Sequence, residues 1–270
     1  MICYICGAHV EKLFSKIILG KYDVTYFKCT HCGFLQTEKP YWLEEAYSSV
    51  IASTDIGYAG RNVKLVKKVA NILLAHFDAQ AKFLDYAGGY GLFTRLMRDN
   101  GFDFYWQDDY CQNLFARYFE LEALAATQRH FELVTGFELM EHVIDPYHTL
   151  DKIFTYSDSF LFSTELQPQT EFPDEWWYLA SETGQHISFY TLPSLQAIAQ
   201  HYGCQVYSNQ KNMHLLTRKV IEPQPFQKPF RASKWLVFRR KKRTPPALKS
   251  LLQQDYQYVK SIIFDTFKTS

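Results

Sequence analysis

The chain has 270 residues, 47% of them hydrophobic and 21% charged, so it can bury a sizeable core and is not disordered as a whole. Lys and Arg number 29 against 28 Asp and Glu, a formal net charge of +1 that excludes an overall pull toward nucleic acid or membrane. No apolar run approaches the roughly 18 residues of a membrane span, and the start, MICYICGAHV, lacks a basic n-region, so a soluble, cytoplasmic protein is expected.

Residues 1–35 read as a metal module. Cys3-x-x-Cys6 and Cys29-x-x-Cys32 are each followed by glycine and are separated by 22 residues, 7–28. Four thiolates so spaced can surround one tetrahedral ion, and each trailing glycine permits the turn that aims backbone N–H groups at sulfur. Structural Zn²⁺ is the expectation. A disulfide pair or redox thiols fit a reducing compartment and a doubled knuckle less well, and His31 is an alternative ligand. Between the knuckles, LFSKIILGKYDVTYFKC alternates as a hairpin does, with Gly20 near its turn. Residues 36–60 form a connector whose Tyr47 and Tyr58 could fold over a ligand mouth or pack between modules. A helix is predicted over 61–76, with Val63, Val66, Val69, Ile72, Leu73 and Phe77 on one face.

The central stretch is KFLDYAGGYG, 82–91. Phe83 and Leu84 predict a buried strand, ending at Asp85. Ala87, Gly88, Gly89 and Gly91 follow as a tight turn, and LFTRLMRDNG continues as a helix closed at Gly101. A second strand, FDFYWQ, ends at Asp108 and Asp109. Strand, glycine turn, helix, strand and acid make a nucleotide-binding half-fold, in which an acid about 20 residues on meets ribose hydroxyls. A dinucleotide fingerprint would need a third glycine where Thr94 stands. An acid beside the loop suits a cationic ligand and would repel a diphosphate.

Asp85, Ala87, Gly89 and Gly91 resemble motif I of class I S-adenosylmethionine (SAM)-dependent methyltransferases, D-x-G-x-G-x-G, with Ala87 in place of the first glycine. The segment FELVTGFELMEHVIDP (131–146) is similar to a second stretch of that family, through Glu141-His142 and Asp145-Pro146. The resemblance implies an α/β fold, a Rossmann-like class I methyltransferase sheet with helices on both faces beside the small N-terminal zinc ribbon. It implies SAM as cofactor, held by Asp85, Ala87, Gly88, Gly89, Gly91, Phe93, Asp108, Asp109, Phe137 and Glu138. A helix near 112–118 and a third strand near 119–126 are expected, with Glu120 as a guess for the adenine contact. Glu141 and His142 are candidate catalytic residues or caps.

A fifth strand (159–166) leads into an insert rich in Trp176, Trp177, Tyr178 and Tyr190, suited to a ring or sugar face, or to packing. Its QHISFYT (185–191) precedes a helix and resembles E-H-[LI]-S-[YF]-[FY]-[ST] of sugar C-methyltransferases. Those enzymes also share the four-cysteine module and C-x-x-C-G-x-x-Q, here CTHCGFLQ (29–36). The resemblance makes His186 a candidate general base, with Tyr190 beside it as a catalytic candidate. Gln185 departs from the family's Glu, and the large C-terminal domain of those enzymes is expected to be absent.

Residues 204–219 read as a closing strand pair. RRKKRTPP (239–246) reads as a solvated linker or an anion-binding run, and a helix over 247–267 offers apolar positions for docking on the body or on another copy. The expected organisation is 1–50 zinc module and connector, 51–222 methyltransferase core, and 223–270 basic linker and helix. The function expected is methyl transfer to a hydroxyl or activated carbon of a small molecule, a sugar or related metabolite. The alternatives are a nucleic-acid methyltransferase, or a catalytically silent SAM- or partner-binding module. Against the former, Phe137-Glu138-Leu139-Met140 stands where base amino-methylases carry an N/D/S-P-P-aromatic tetrad.

Overall fold

The computed structural model describes residues 1–47, 56–168, 174–226 and 248–269, with side chains through Phe264 in the last segment. The basic run at 239–246, connector residues 48–55 and insert residues 169–173 lie outside it.

The N-terminal part holds β1 (Val10–Ile18), β2 (Tyr22–Cys29), β3 (Leu35–Thr37) and α1 (Leu43–Ala46). Next come α2 (Tyr58–His76), β4 (Lys82–Tyr86), α3 (Leu92–Asp99), β5 (Asp103–Gln107) and β6 (Leu133–Gly136). After these run α4 (Pro146–Tyr156), β7 (Ser159–Ser163), β8 (Ser188–Phe189) and α5 (Leu192–His201). The hairpin of β9 (Gln205–Ser208) and β10 (Met213–Thr217) precedes α6 (Leu252–Thr269).

The strands form two sheets. The larger has the order β5-β4-β6-β7-β10-β9. Its β4, β5, β6 and β7 run parallel, while β10 runs antiparallel to both β7 and β9. Side chains alternate along each strand, so Phe83 and Leu84 face opposite ways and both faces are covered. On one face, Leu65, Val69 and Leu73 of α2 and Phe93 and Met97 of α3 pack on Phe83, Phe104 and Leu133. On the other, Leu150 and Ile153 of α4 and Leu195 and Ile198 of α5 pack on Leu84, Val134 and Phe160. The order reverses between β4 and β6, which opens a crevice at their carboxyl ends.

The smaller sheet is β1-β2-β3-β8. Its first three strands come from the cysteine module, with the hairpin turning at Leu19 and Gly20, both at positive φ. Its last strand is contributed by the 185–191 segment, through Leu35 opposite Phe189 and Gln36 opposite Ser188.

Three expectations need correction. Residues 112–118 are not helical: Asn113 accepts from Ala116 N and donates to Ala116 O and Glu120 Oε1, a local turn that competes with helix. The strand expected near 119–126 shrinks to a single bridge, Trp106 to Glu120, followed by short 3₁₀ turns at 121–123 and 126–128. Val63, placed on the buried face of α2, is 61% exposed, and Leu65 takes that face instead.

α6 docks on α3 of its own chain. Arg98 grips Asp255 with Nη2 at 2.7 Å and Nε at 2.8 Å, and both side chains are nearly fully buried. Arg95 adds a second ion pair to Asp255 at 2.8 Å, and Arg98 also holds Asp103 at 2.6 Å. Removing one member of a buried pair leaves an uncompensated charge. Asp255→Ala is therefore expected to destabilise the protein by about 3 kcal/mol in urea unfolding.

Candidate active site

The crevice at the switch point is built around two carboxylates. Asp85, at the end of β4, is buried and accepts from the hydroxyls of Thr94 and Thr135, both at 2.9 Å. Burial pushes its pKa up to about 7, and the nearby Asp108 charge adds to the rise against the two hydroxyl bonds. Asp108, just past β5, accepts from three main-chain N–H groups: Gly89 at 2.9 Å, and Tyr110 and Cys111 at 2.8 Å. The glycine turn is thereby tied to the second strand's acid. Trp106 completes the tie by donating Nε1–H to the Gly89 carbonyl at 2.9 Å.

Side chains are excluded from this turn by contact. A Cβ on Gly88 would sit 2.7 Å from both Asp85 Oδ2 and Trp106 Cδ1. Gly91 caps α3 in the left-handed region at φ 82°, and its Cβ would meet Asn113 Oδ1 at 2.5 Å. Ala87 also lies at positive φ, 54°, where glycine would be unstrained. Tyr58, in the first turn of α2, reaches over the loop beside Gly89 and stacks edge-on with Tyr90.

Past β6 the chain turns through Glu138, again at positive φ, which Ser163 fixes: the hydroxyl accepts from Glu138 N at 2.8 Å and donates to Glu138 Oε1 at 2.6 Å. Glu141, His142 and His186 then come together, one ligand atom of each lying within 4.8 Å of the others. The two imidazoles meet edge to face at 4.8 Å. Glu141 is fully buried, and neither carboxylate oxygen has a hydrogen-bond partner among the described residues. Burial raises its pKa to about 8, and the Glu138 charge adds to this. Burial lowers both histidines, His142 to about 3.

The N-terminal module holds this cluster in place. Trp42 donates Nε1–H to the Gly184 carbonyl at 2.8 Å, and Gln185 Nε2 donates to the Ala46 carbonyl at 2.8 Å. The Tyr47 hydroxyl lies 3.1 Å from His142 Nδ1. The segment carrying His186 is thus clamped between α1 and the larger sheet.

Cys3, Cys6, Cys29 and Cys32 converge at the far side of that module. Cys3 and Cys32 sulfurs are 3.7 Å apart, and Cys6 and Cys29 sulfurs 3.4 Å. A tetrahedral ion with sulfur at ~2.3 Å sets them about 3.8 Å apart, so the set fits one. Main-chain N–H groups of Ile5, His31 and Cys32 point at these sulfurs, each at 3.4 Å. His31 contributes this N–H and stands outside the ligand cluster. Gln36, fully buried, ties the first knuckle down by accepting from Tyr4 N at 3.0 Å and donating to Ile2 O at 3.1 Å.

A family model described as a methyltransferase domain matches residues 58–209, more than half of the chain and the whole crevice. The chain belongs to this methyltransferase family. As a member it is a SAM-dependent methyltransferase. No curated protein matches the sequence. Among solved structures it is similar to magnesium protoporphyrin IX methyltransferase (ChlM) from Synechocystis PCC 6803 with bound SAM, at 11% identity and TM-score 0.41, covering 67% of this chain and 93% of that one. It is similar to the plantazolicin methyltransferase BpumL, crystallised with a monoazolic desmethylPZN analog and SAH, at 7% identity and TM-score 0.47, covering 66% and 93%. It is also similar to the N-terminal domain of EvdMO1, determined in the presence of SAH and D-fucose, at 15% identity and TM-score 0.39, covering 63% and 85%. At these identities and scores the likenesses say nothing about the acceptor.

Several of the expected site residues make contacts of their own. Phe93 is 3% exposed and packs edge-on against Phe104 and Phe137, so it belongs to the core under the loop, with Phe137 against it. Tyr190 is fully buried, and its hydroxyl donates to the Met140 carbonyl at 3.1 Å. Asp109 accepts from Gln107 at an exposed position, while Glu120 accepts from Asn113. Of the aromatic insert, Trp176 and Tyr178 pack with Phe189 in the core of the smaller sheet, and Trp177 is 71% exposed. The sequence reading missed Gln36, Ser163 and the tether made by Gln185. The C-x-x-C-G-x-x-Q spacing carried a signal for Gln36; the other two act through contacts distant in sequence.

The turn's tolerance can be tested at two glycines. Gly88→Ala should lower stability by about 1–3 kcal/mol through overpacking and weaken SAM binding. Gly60→Ala meets nothing within 4 Å in α2 and should raise stability by about 0.5–1 kcal/mol. Thermal unfolding and calorimetry of the two variants separate the cases.

Proposed function

We propose that the enzyme binds SAM across the carboxyl ends of β4 and β5 and transfers its methyl group to a small-molecule acceptor held beyond β6 and β7. The observation that carries this reading is the Asp108 carboxylate, fixed at the second strand's tip and bonded to the main chain of Gly89. That geometry suits two ribose hydroxyls beside a turn that lets a ligand approach the backbone. Asp85, ionised, offsets the ligand's cationic ammonium end. Ala87, Gly88, Gly89 and Gly91 leave room for the ligand, and Asp109 and Glu138 add negative charge at either side. Bound SAM supplies an electrophilic methyl on a sulfonium.

The acceptor side has its own support. A cavity of about 400 Å³ opens beyond the same strands, lined by Arg61, Lys64, Lys68, Glu138, Ser163 and Met213. That size takes a sugar or related metabolite. Glu141, His142 and His186 stand next to Glu138, at the end of the crevice where an acceptor's reacting group belongs. His186 donates Nδ1–H to the Tyr178 carbonyl at 2.7 Å, which leaves Nε2 as a lone pair to meet the acceptor's proton. A hydroxyl or an acidified C–H both answer to that geometry.

Zn²⁺ in the four-cysteine cluster is structural in this reading. The set is closed, so no ligand position is left for chemistry. Its service to the reaction is indirect, through β3 and α1, which hold the His186 segment.

Three measurements test this reading. Asp108→Ala should weaken SAM binding by about tenfold or more in calorimetry. Because Asp85 titrates near 7 in the free protein, its charge is present above that pH and lost below it. SAM affinity should therefore fall by up to about tenfold per unit as pH drops from 7, and Asp85→Asn should flatten the profile. An Asp108 variant binding SAM like wild type would sink the assignment. Metal analysis should find about one Zn per chain, and Cys29→Ser should lower both zinc content and melting temperature.

A further inference from the structure

The cluster beyond β6 has features that proton abstraction alone does not call for. Glu141, His142 and His186 bring one carboxylate oxygen and two ring nitrogens within 4.8 Å of one another. His186 Nδ1 is held by the Tyr178 carbonyl at 2.7 Å, and His142 Nδ1 lies 3.1 Å from the Gln185 carbonyl. A histidine that ligates a metal donates its other ring N–H to a carbonyl in this way, which fixes the tautomer with Nε2 as the free donor atom. Tyr47 places its hydroxyl 3.1 Å from the same His142 nitrogen, a further brace on the ring. Among the described residues neither Nε2 has a hydrogen-bond partner, and both residues are half-buried.

Glu141 supplies the second, independent observation. Its side chain is fully buried with both oxygens unpartnered. The Tyr178 and Thr164 hydroxyls, 3.3 Å from each other, hold its carboxyl pKa down slightly, yet neither makes a hydrogen bond to it within 3.5 Å. A carboxylate so enclosed is compensated either by a proton or by a cation. Glu138, locked beside it by Ser163, brings a further negative charge to the same corner.

We propose that Glu141, His142 and His186 form a divalent-cation site, and that the acceptor's reacting oxygen fills one of its open positions. Two imidazoles and one carboxylate suit a first-row ion such as Mn²⁺, whereas the four thiolates of the N-terminal cluster suit zinc, so the two sites do not compete. This deepens the methyl-transfer reading and rests on it. A coordinated hydroxyl gives its proton to solvent. The oxygen's freed pair forms the new O–C bond, and the C–S bonding pair stays on the donor's sulfur. His186 then acts through the ion rather than on the proton.

The test is Mn²⁺ titration of the full, zinc-loaded chain, followed by electron paramagnetic resonance, with SAM binding measured calorimetrically on the same samples. The expected result is one Mn²⁺ per chain, with affinity weakened about tenfold or more in Glu141→Gln and in His186→Gln and SAM affinity unchanged. The SAM measurement also shows that each variant is folded. Wild type that binds SAM but leaves Mn²⁺ free at millimolar concentration overturns the ion site and spares the methyl-transfer reading. Equal Mn²⁺ binding by wild type and both variants overturns it as well. Wild type that binds Mn²⁺ with the expected variant losses but does not bind SAM keeps the cation site and rejects the reading on which its role in transfer rests.

Discussion

The pairing of β3 with β8 is the contact on which the site depends. It is short, two residue pairs, yet it joins the cysteine module to the strand that follows His186. Side chains reinforce it on both flanks. Thr191 donates to the Cys32 carbonyl at 2.6 Å while also capping α5, and Gln167 donates to the Gly33 and Phe189 carbonyls at 2.9 and 2.8 Å. Tyr147 of α4 donates to Ile5 O at 2.7 Å. Cys3, Cys29 and Cys32 share one apolar cluster with Tyr190, Leu195 and Leu150. Loss of the cysteine module would therefore not free an independent core; it would unpin the segment that carries the candidate catalytic histidine.

Electrostatics divides the crevice into two ends. Asp85 and Asp108 lie at the glycine turn, and Glu138 and Glu141 lie past β6. Arg61, Lys64 and Lys68 of α2 line the cavity beside Glu138. A diphosphate at the turn would meet two carboxylates within a few ångströms, where like charges repel strongly at low dielectric. A sulfonium and an ammonium meet the opposite balance. Burial raises Asp85 to about 7 and Glu141 to about 8, the same desolvation effect at both ends.

Legibility of the chain followed the range of the interactions. The doubled C-x-x-C-G, the glycine turn and Asp108 were readable because each is a local pattern whose chemistry needs those residue types at those spacings. Glu141, His142 and His186 were singled out separately, through family-like segments, but nothing local said that they meet. Asn113 shows the opposite case: helical composition at 112–118 yielded to one side chain bonding its own neighbours. Phe93 and Tyr190 were picked out beside their motifs, and the structure buries both side chains. Alternation and helical phase turn one toward Phe104 and the other toward Met140. Arg98 with Asp255, separated by 157 residues, left no trace in either local pattern.

The two departures from the family patterns have structural accounts that do not require a silent protein. Ala87 adopts the left-handed conformation that a glycine would take there, at φ 54°, so the turn keeps its path and carries one methyl of strain. Gln185, where the resembled enzymes carry Glu, is 6% exposed and donates to the Ala46 carbonyl, a bond a carboxylate could not make. The substitution exchanges an acid for a donor and uses it to fasten α1 to the loop. In return α1 sets Tyr47 against His142, and Glu141 supplies the buried acid beside His186. Glu141, past the end of β6, places a carboxylate next to an imidazole in the crevice.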